Sequence, residues 1–333
     1  MNGGARRGWS AALVAAALLG PADVVAQARV VVVSGLGGEP AYEERFRRWG
    51  ATIAEAARAL PGARAGDVVF LAEDPDAAGP AADGRSTLER VEEAFQALAE
   101  RPGGAPLLVV LIGHGSADAR GARINLPGPD LTATVLDALL KASGGDPVAV
   151  VVASSSSGAF LEPLAGAGRI VVTATRAGGE RQATRFAAHF AEAFAGGAAD
   201  TDKDGRVSLL EAFRYAEAEV ERSFASAGQL QTEHPVLDDD GDGAAGDRDG
   251  EVAARFFLGG VGGAADDAAE LASATGALRE LLEERARIES ELEALKARKE
   301  GVDADAYDQA LEALFVRLAL NARALRAERG ESP

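Results

Sequence analysis

The sequence predicts an α/β protein in which a mainly parallel sheet is covered by helices on both faces and a C-terminal α-helical hairpin follows. Three observations carry that prediction. Short apolar runs stop abruptly at turn residues, as buried parallel strands do: PLLVVLIGHGS from Pro106 to Ser116, and PVAVVVASSSSG from Pro147 to Gly158. Stretches with helical apolar spacing lie between such runs, and strands alternating with helices build a sheet covered on both sides. Beyond Gly262 the composition shifts to Ala, Glu, Arg and Leu, with apolar residues in 3-4 spacing.

The first strand is expected at Arg29 to Ser34 (RVVVVS), closed by the turn Gly35-Leu36-Gly37-Gly38. Tyr42 to Leu60 has helical spacing, and Asp67 to Leu71 is a second strand. Ser86 and Thr87 can cap a helix running to about Glu100, which Pro102-Gly103-Gly104 ends. After the Gly113-His114-Gly115 strand come a helix from Thr132 to Ala142, the serine strand, and a strand from Arg169 to Thr175. Two less regular connections, Ala117 to Asp130 and Ala159 to Gly168, are placed to wall a cleft. A helix from Glu180 to Ala195 carries Phe186, Phe190 and Phe194 on one face. His189 lies beside that stripe and reads as structural, and His234, before Pro235, reads as a loop residue. His114 is left as the histidine with a suggestive position. In open α/β sheets chemistry collects past the carboxyl ends of the strands, which is where His114 and Ser154 to Ser157 fall.

Composition narrows the function classes. Hydrophobic residues make up 47% and charged residues 26%, an ordinary globular balance that argues against wholesale disorder. A formal charge of −18 disfavours a nucleic-acid partner and suits cations or basic peptides. The chain has no cysteine, which excludes thiol catalysis, Cys-zinc sites and lipoprotein anchoring through cysteine. At the N-terminus, Arg6 and Arg7 precede the short apolar run Trp9 to Leu19, and Ala26-Gln27-Ala28 supplies a small-x-small cleavage pattern. Residues 1–28 therefore read as a signal peptide, and the mature chain is expected to be periplasmic or extracellular. No apolar run reaches the ~20 residues a membrane span needs.

Asp200-Thr201-Asp202-Lys203-Asp204-Gly205-Arg206-Val207-Ser208-Leu209-Leu210-Glu211 fits the twelve-residue EF-hand-like calcium loop. Asp200, Asp202 and Asp204 supply hard oxygens, Gly205 makes the sharp turn, Arg206 offers its backbone carbonyl, and Glu211 stands at the twelfth position. A second acidic loop, 238–249, repeats the spacing with Asp238, Asp240, Asp242 and Asp249, but Ala245 takes the apolar eighth position. Calcium is the cofactor both loops suggest, with a solvated acidic loop as the alternative. Residues 29–262 would then form one α/β domain. Residues 263–333 form the hairpin: Leu278, Leu281, Ile288, Leu292 and Leu295 on one helix, Tyr307, Leu311, Leu314, Leu318 and Leu325 on the other, with Arg285 and Asn321 in the seam. This coiled-coil pattern suits a structural appendage, a docking arm for a partner, or a homo-oligomer contact.

Three segments together carry a family resemblance: the strand ending in Gly113-His114-Gly115, the next ending in Ser154-Ser155-Ser156-Ser157-Gly158, and the strand Ile170 to Thr175 followed by Arg176-Ala177-Gly178-Gly179-Glu180. In these residues the chain resembles the legumain and caspase superfamily of peptidases. The resemblance implies a caspase/legumain-like hydrolase fold with His114 as general base, Ser155 where the family has its nucleophilic cysteine, and the N–H groups of Gly115 and Ser155 as oxyanion donors. It also implies that Arg176 and Glu180 line the primary specificity pocket. A serine in place of cysteine needs a well-oriented base, usually held by a third group, and no acid can be assigned to that role from the sequence. The expectation is therefore a pseudopeptidase whose cleft binds a peptide or protein ligand. The alternatives are a serine-type peptidase or esterase using Ser155 and His114, and a non-catalytic scaffold acting through the hairpin.

Overall fold

The computed structural model describes residues 28–60, 63–101, 103–203, 206–246, 248–258, 260–261, 274–296 and 304–328. Apart from Ala28 the predicted signal peptide lies outside the described residues, as do Asp204, Gly205 and the stretch 263–273.

The strands in chain order are β1 (Arg29–Ser34), β2 (Val68–Ala72), β3 (Gly84–Arg85), β4 (Leu107–Gly113), β5 (Gly115–Asp118), β6 (Gly121–Ile124), β7 (Leu131–Thr132), β8 (Val148–Ser154), β9 (Arg169–Thr173), β10 (Val236–Asp238), β11 (Phe256–Phe257) and β12 (Gly260–Val261). Seven of them form one sheet in the order β10-β9-β8-β4-β1-β2-β3. All its pairings are parallel except β10 against β9. The valine runs make sense in this setting, because a parallel strand buried on both faces has no polar side to display. Alternate residues serve opposite cores. Val30, Val32, Val110, Ile112 and Val151 pack on one side, and Val31, Val33, Val109, Leu111 and Val150 on the other.

The helices are α1 (Pro40–Arg58), α2 (Pro75–Ala78), α3 (Leu88–Ala99), α4 (Ala133–Ala142), α5 (Leu161–Leu164), α6 (Phe186–Ala195), α7 (Leu209–Ser226), α8 (Gly276–Lys296) and α9 (Ala304–Glu328). Helices α1, α6 and α7 fill the first core with Phe46, Ile53, Phe186, Phe190 and Val220. Helices α3, α4 and α5 fill the second with Phe95, Leu136, Leu140 and Leu164. Burying each of these large side chains contributes roughly 1.5–3 kcal/mol before entropy is charged against it. Thr87 caps α3 and Thr132 caps α4, each accepting an N–H with its hydroxyl.

Three expectations are corrected. Helix α6 begins at Phe186 rather than Glu180, because the N–H groups of Arg185 and Phe186 are taken by the remote carboxylate of Glu233 at 2.8 Å each. Strand β9 ends at Thr173 rather than Thr175, since the Thr175 N–H turns away to the Ser157 hydroxyl at 3.0 Å. The connection after His114 is regular: β5, β6 and β7 form a small antiparallel sheet of their own.

Helices α8 and α9 pack on each other through Ile288, Leu292, Leu295, Tyr307, Leu314 and Leu318. Arg285 and Asn321 are both buried in this seam, and Asn321 Nδ2 donates to the Leu281 carbonyl at 2.9 Å. Arg317 bridges the two helices by pairing with Glu284 and Glu291. Among the described residues no helix is long and apolar enough to cross a membrane.

Candidate functional site

The sheet order reverses direction at β1, whose neighbours β2 and β4 lie on opposite sides. In open α/β sheets ligands bind beyond the carboxyl ends of the strands at such a switch point. His114 stands there, one residue after β4. Its ring meets Tyr42 and Phe46 of α1 edge-on, with centroids 4.8 Å and 5.1 Å away. Burial pushes the His114 pKa down, while a hydrogen bond with the Gly37 backbone and the charge of Glu39 act the other way. The imidazole is thus gripped by the β1 turn and the first turns of α1. Glu39, Tyr42 and Phe46 escaped the sequence reading; the glycine turn before α1 was the available signal.

Strand register brings Ser155 to the same place. Gly113 pairs with Ser154, so His114 and Ser155 are the next residues in line on β4 and β8. The Ser155 hydroxyl accepts from the Gly115 N–H and donates to the Gly115 carbonyl, both at 3.1 Å. Among the described residues no hydrogen bond joins Ser155 Oγ to the His114 ring. The Gly115 N–H, which an oxyanion would need, already has a hydroxyl partner. All four serines are covered: Ser154 and Ser157 are 0% exposed, Ser156 1% and Ser155 4%. Ser157 and Thr175 share a hydroxyl contact at 3.1 Å, and the Gly158 N–H donates to Thr175 Oγ1 at 2.9 Å.

Arg176 is exposed, whereas Glu180 is engaged inside the protein. One Glu180 oxygen meets His234 Nδ1 at 2.8 Å, and the other accepts the N–H groups of His234 and Arg176 at 3.1 and 3.2 Å. Arg176 and Glu180 are therefore joined through a backbone contact, with the Glu180 carboxylate acting as a brace. Glu233, next to His234, is buried, and burial pushes its pKa up to about 7 against the two backbone hydrogen bonds it accepts. His189 pairs with Glu192 on the surface of α6 at 2.9 Å, away from the crevice.

In the first acidic loop, Asp200, Asp202 and Glu211 bring carboxylate oxygens within 4.8 Å of one another. Asp204 lies outside the described residues. Glu211 Oε1 accepts the N–H groups of Thr201 and Asp202 at 2.8 and 3.4 Å, while Oε2 closes a capping box with Ser208 at the start of α7. The Arg206 guanidinium lies 4.6 Å over the Phe257 ring. In the second loop Asp238, Asp240 and Asp242 likewise bring carboxylate oxygens within 4.8 Å of one another. Asp238 is wholly buried and its pKa is raised by burial first, then by Asp249 and Asp242. Both carboxylate sets have the oxygen-rich chemistry that suits a hard divalent cation.

No family model matches the chain, and no curated protein matches it. Among solved structures, a protein of Geobacter sulfurreducens is similar with a TM-score of 0.40 and 13% identity, over 64% of this chain and 92% of that one. The Drosophila initiator caspase Dronc is similar with a TM-score of 0.39 and 9% identity, over 66% of this chain and 86% of that one. The class of the protein is α/β, with a mostly parallel central sheet flanked by helices.

Proposed function

We propose that this chain is a catalytically silent protein of legumain/caspase-like build, exported, and working by binding a peptide segment at the strand-end crevice. The observation that supports it is the bonding of Ser155: its hydroxyl is satisfied by both backbone groups of Gly115, while His114 is held by α1 and the Gly37 turn. A nucleophilic serine needs its base within hydrogen-bond reach and a free oxyanion donor. Among the described residues no hydrogen bond joins the Ser155 hydroxyl to His114, and one of the two donors, the Gly115 N–H, is taken by that hydroxyl. Calcium is the ion we propose for the acidic loops, held by Asp200, Asp202 and Glu211 in one and by Asp238, Asp240 and Asp242 in the other; in the sequence pattern of the first loop Asp204 and the Arg206 carbonyl are further ligands. Bound there it would tie loop to helix and loop to strand, with no part in chemistry at the crevice.

The register of His114 and Ser155 supports a rival, a serine-type hydrolase, and one experiment separates the two. Protein beginning at Arg29 is incubated with a mixed peptide library in calcium, beside Ser155→Ala and His114→Ala variants. The expected result is no cleavage above the variants and retention of the same peptides by wild type and Ser155→Ala. Cleavage abolished by either substitution would overturn the proposal in favour of the hydrolase.

A further inference from the structure

Residues 176–185 run as a strap over the serine turn, and two adjacent residues hold it at its middle and at its far end. His234 binds the Glu180 carboxylate through its ring at 2.8 Å and its backbone N–H at 3.1 Å. Glu233 binds the N–H groups of Arg185 and Phe186, each at 2.8 Å. Between these clasps Arg181 and Gln182 are exposed. Beneath the strap the fit is close. The Glu180 carbonyl accepts the Ser156 N–H at 2.7 Å. A Cβ on Gly158 would lie 2.3 Å from Ala177 N, and one on Gly178 would lie 3.0 Å from Ala117 Cβ and 3.1 Å from Ala159 Cβ. Ser156 itself has a left-handed backbone (φ 58°), and its buried hydroxyl has no hydrogen-bond partner among the described residues. A non-glycine residue held in that conformation at the end of a central strand is a costly arrangement of the kind found at binding sites.

We propose that the strap is a lid over the strand-end crevice and that the Glu233-His234 clasp governs its opening. This rests on the crevice being the ligand-binding site. Because the two clasp residues are consecutive, one displacement of residues 233–234 releases the middle and the far end of the strap together. The segment leading into the clasp is open to solvent, with Leu230 89% exposed, so a partner that engages it would pull on the clasp directly. With the serines covered, a ligand reaches the turn only after the strap lifts.

The absence of cysteine makes the test clean, since Ser156→Cys introduces the only thiol and removes no hydrogen bond of the hydroxyl. Its labelling rate with a maleimide is compared with that of Leu230→Cys. The expected result is labelling about 100-fold slower at position 156, accelerated about 10-fold or more by adding His234→Ala or Glu180→Gln in proteins that retain native circular dichroism. Labelling of Ser156→Cys as fast as Leu230→Cys, or a rate unmoved by both clasp variants, would overturn the proposal. Hydrogen exchange of residues 154–158 and 176–185, in unsubstituted protein and in His234→Ala, gives the same readout without a thiol: faster exchange in the variant supports the lid, and unchanged exchange refutes it. Neither measurement uses a peptide, so a failure to bind peptides and a failure of the lid are separate results.

Discussion

The two acidic loops share a backbone plan and differ in what surrounds it. In both, the carboxylate at the twelfth position accepts the N–H groups at the second and third: Glu211 from Thr201 and Asp202 at 2.8 and 3.4 Å, Asp249 from Asp239 and Asp240 at 2.9 and 3.4 Å. In both, the fourth residue is left-handed, with φ 61° at Lys203 and 79° at Gly241. The surroundings diverge from there. The first loop links α6 to α7, and its second residue, Thr201, is exposed. The second hangs from the edge strand β10, and its second residue, Asp239, is buried and accepts three N–H groups, from Gly250, Val252 and Ala253. Arg248 also supplies a counter-charge to Asp240 and Asp242 at 3.1 and 3.8 Å. The second loop thus carries its own cation and its own anchor. The same spacing makes one loop a connection between helices and the other a self-supported knot on the sheet edge.

The sharpest way to break the comparison is at the second position. Asp239→Ala leaves three backbone donors facing a buried space and should cost about 3–5 kcal/mol in urea unfolding, whereas Thr201→Ala should cost less than about 1 kcal/mol. Equal losses would show that the anchor is not what separates the loops.

The next effect belongs to Glu233, five residues before the second loop. Its folded pKa, raised to about 7 from an ordinary 4.5, means that the native state keeps a proton the unfolded chain releases. The contribution of this group to stability should therefore be greatest below pH 4.5, fall as pH rises, and level off above pH 7, with a loss of about 3 kcal/mol. Glu233→Gln should flatten the fall, seen as a smaller change in urea midpoint between pH 5 and 8. A matching slope in the variant would assign the pH dependence elsewhere.

The smallest stability effect is expected at Arg248, whose guanidinium is 80% exposed in its ion pairs. Arg248→Ala should change stability without calcium only slightly, as exposed pairs do, yet enlarge the thermal shift that calcium produces, because the competing cation is gone from the second loop. Glu211→Gln should reduce that shift from the side of the first loop. A calcium response indifferent to both substitutions would remove calcium from the account of these loops.

Much of the fold was legible because its signals are local. Runs such as RVVVVS and AVVVAS need no partner to announce a strand buried on both faces, and the hydroxyls of Thr87 and Thr132 cap helices only three residues ahead. The acidic loops were legible for the same reason, since twelve consecutive residues bend back on themselves. The start of α6 was not. Glu180 to Arg185 has helical composition, but bonds from Glu233 and His234, some fifty positions away, hold it as a strap.

The sequence by itself determined the alternation of strands and helices, the placing of His114 and Ser155 just past the ends of two neighbouring central strands, and the gathering of carboxylates in two loops. Each follows from the period of the apolar residues or from contacts within a few residues of chain. Only the tertiary structure decided that Ser155 would bond Gly115, forty positions away, that His114 would lodge against Tyr42 and Phe46, and that Glu180 would close on His234. A side chain's hydrogen-bond partner depends on which strands become neighbours and how closely their ends pack. Nothing in the local spacing of polar residues carries that information.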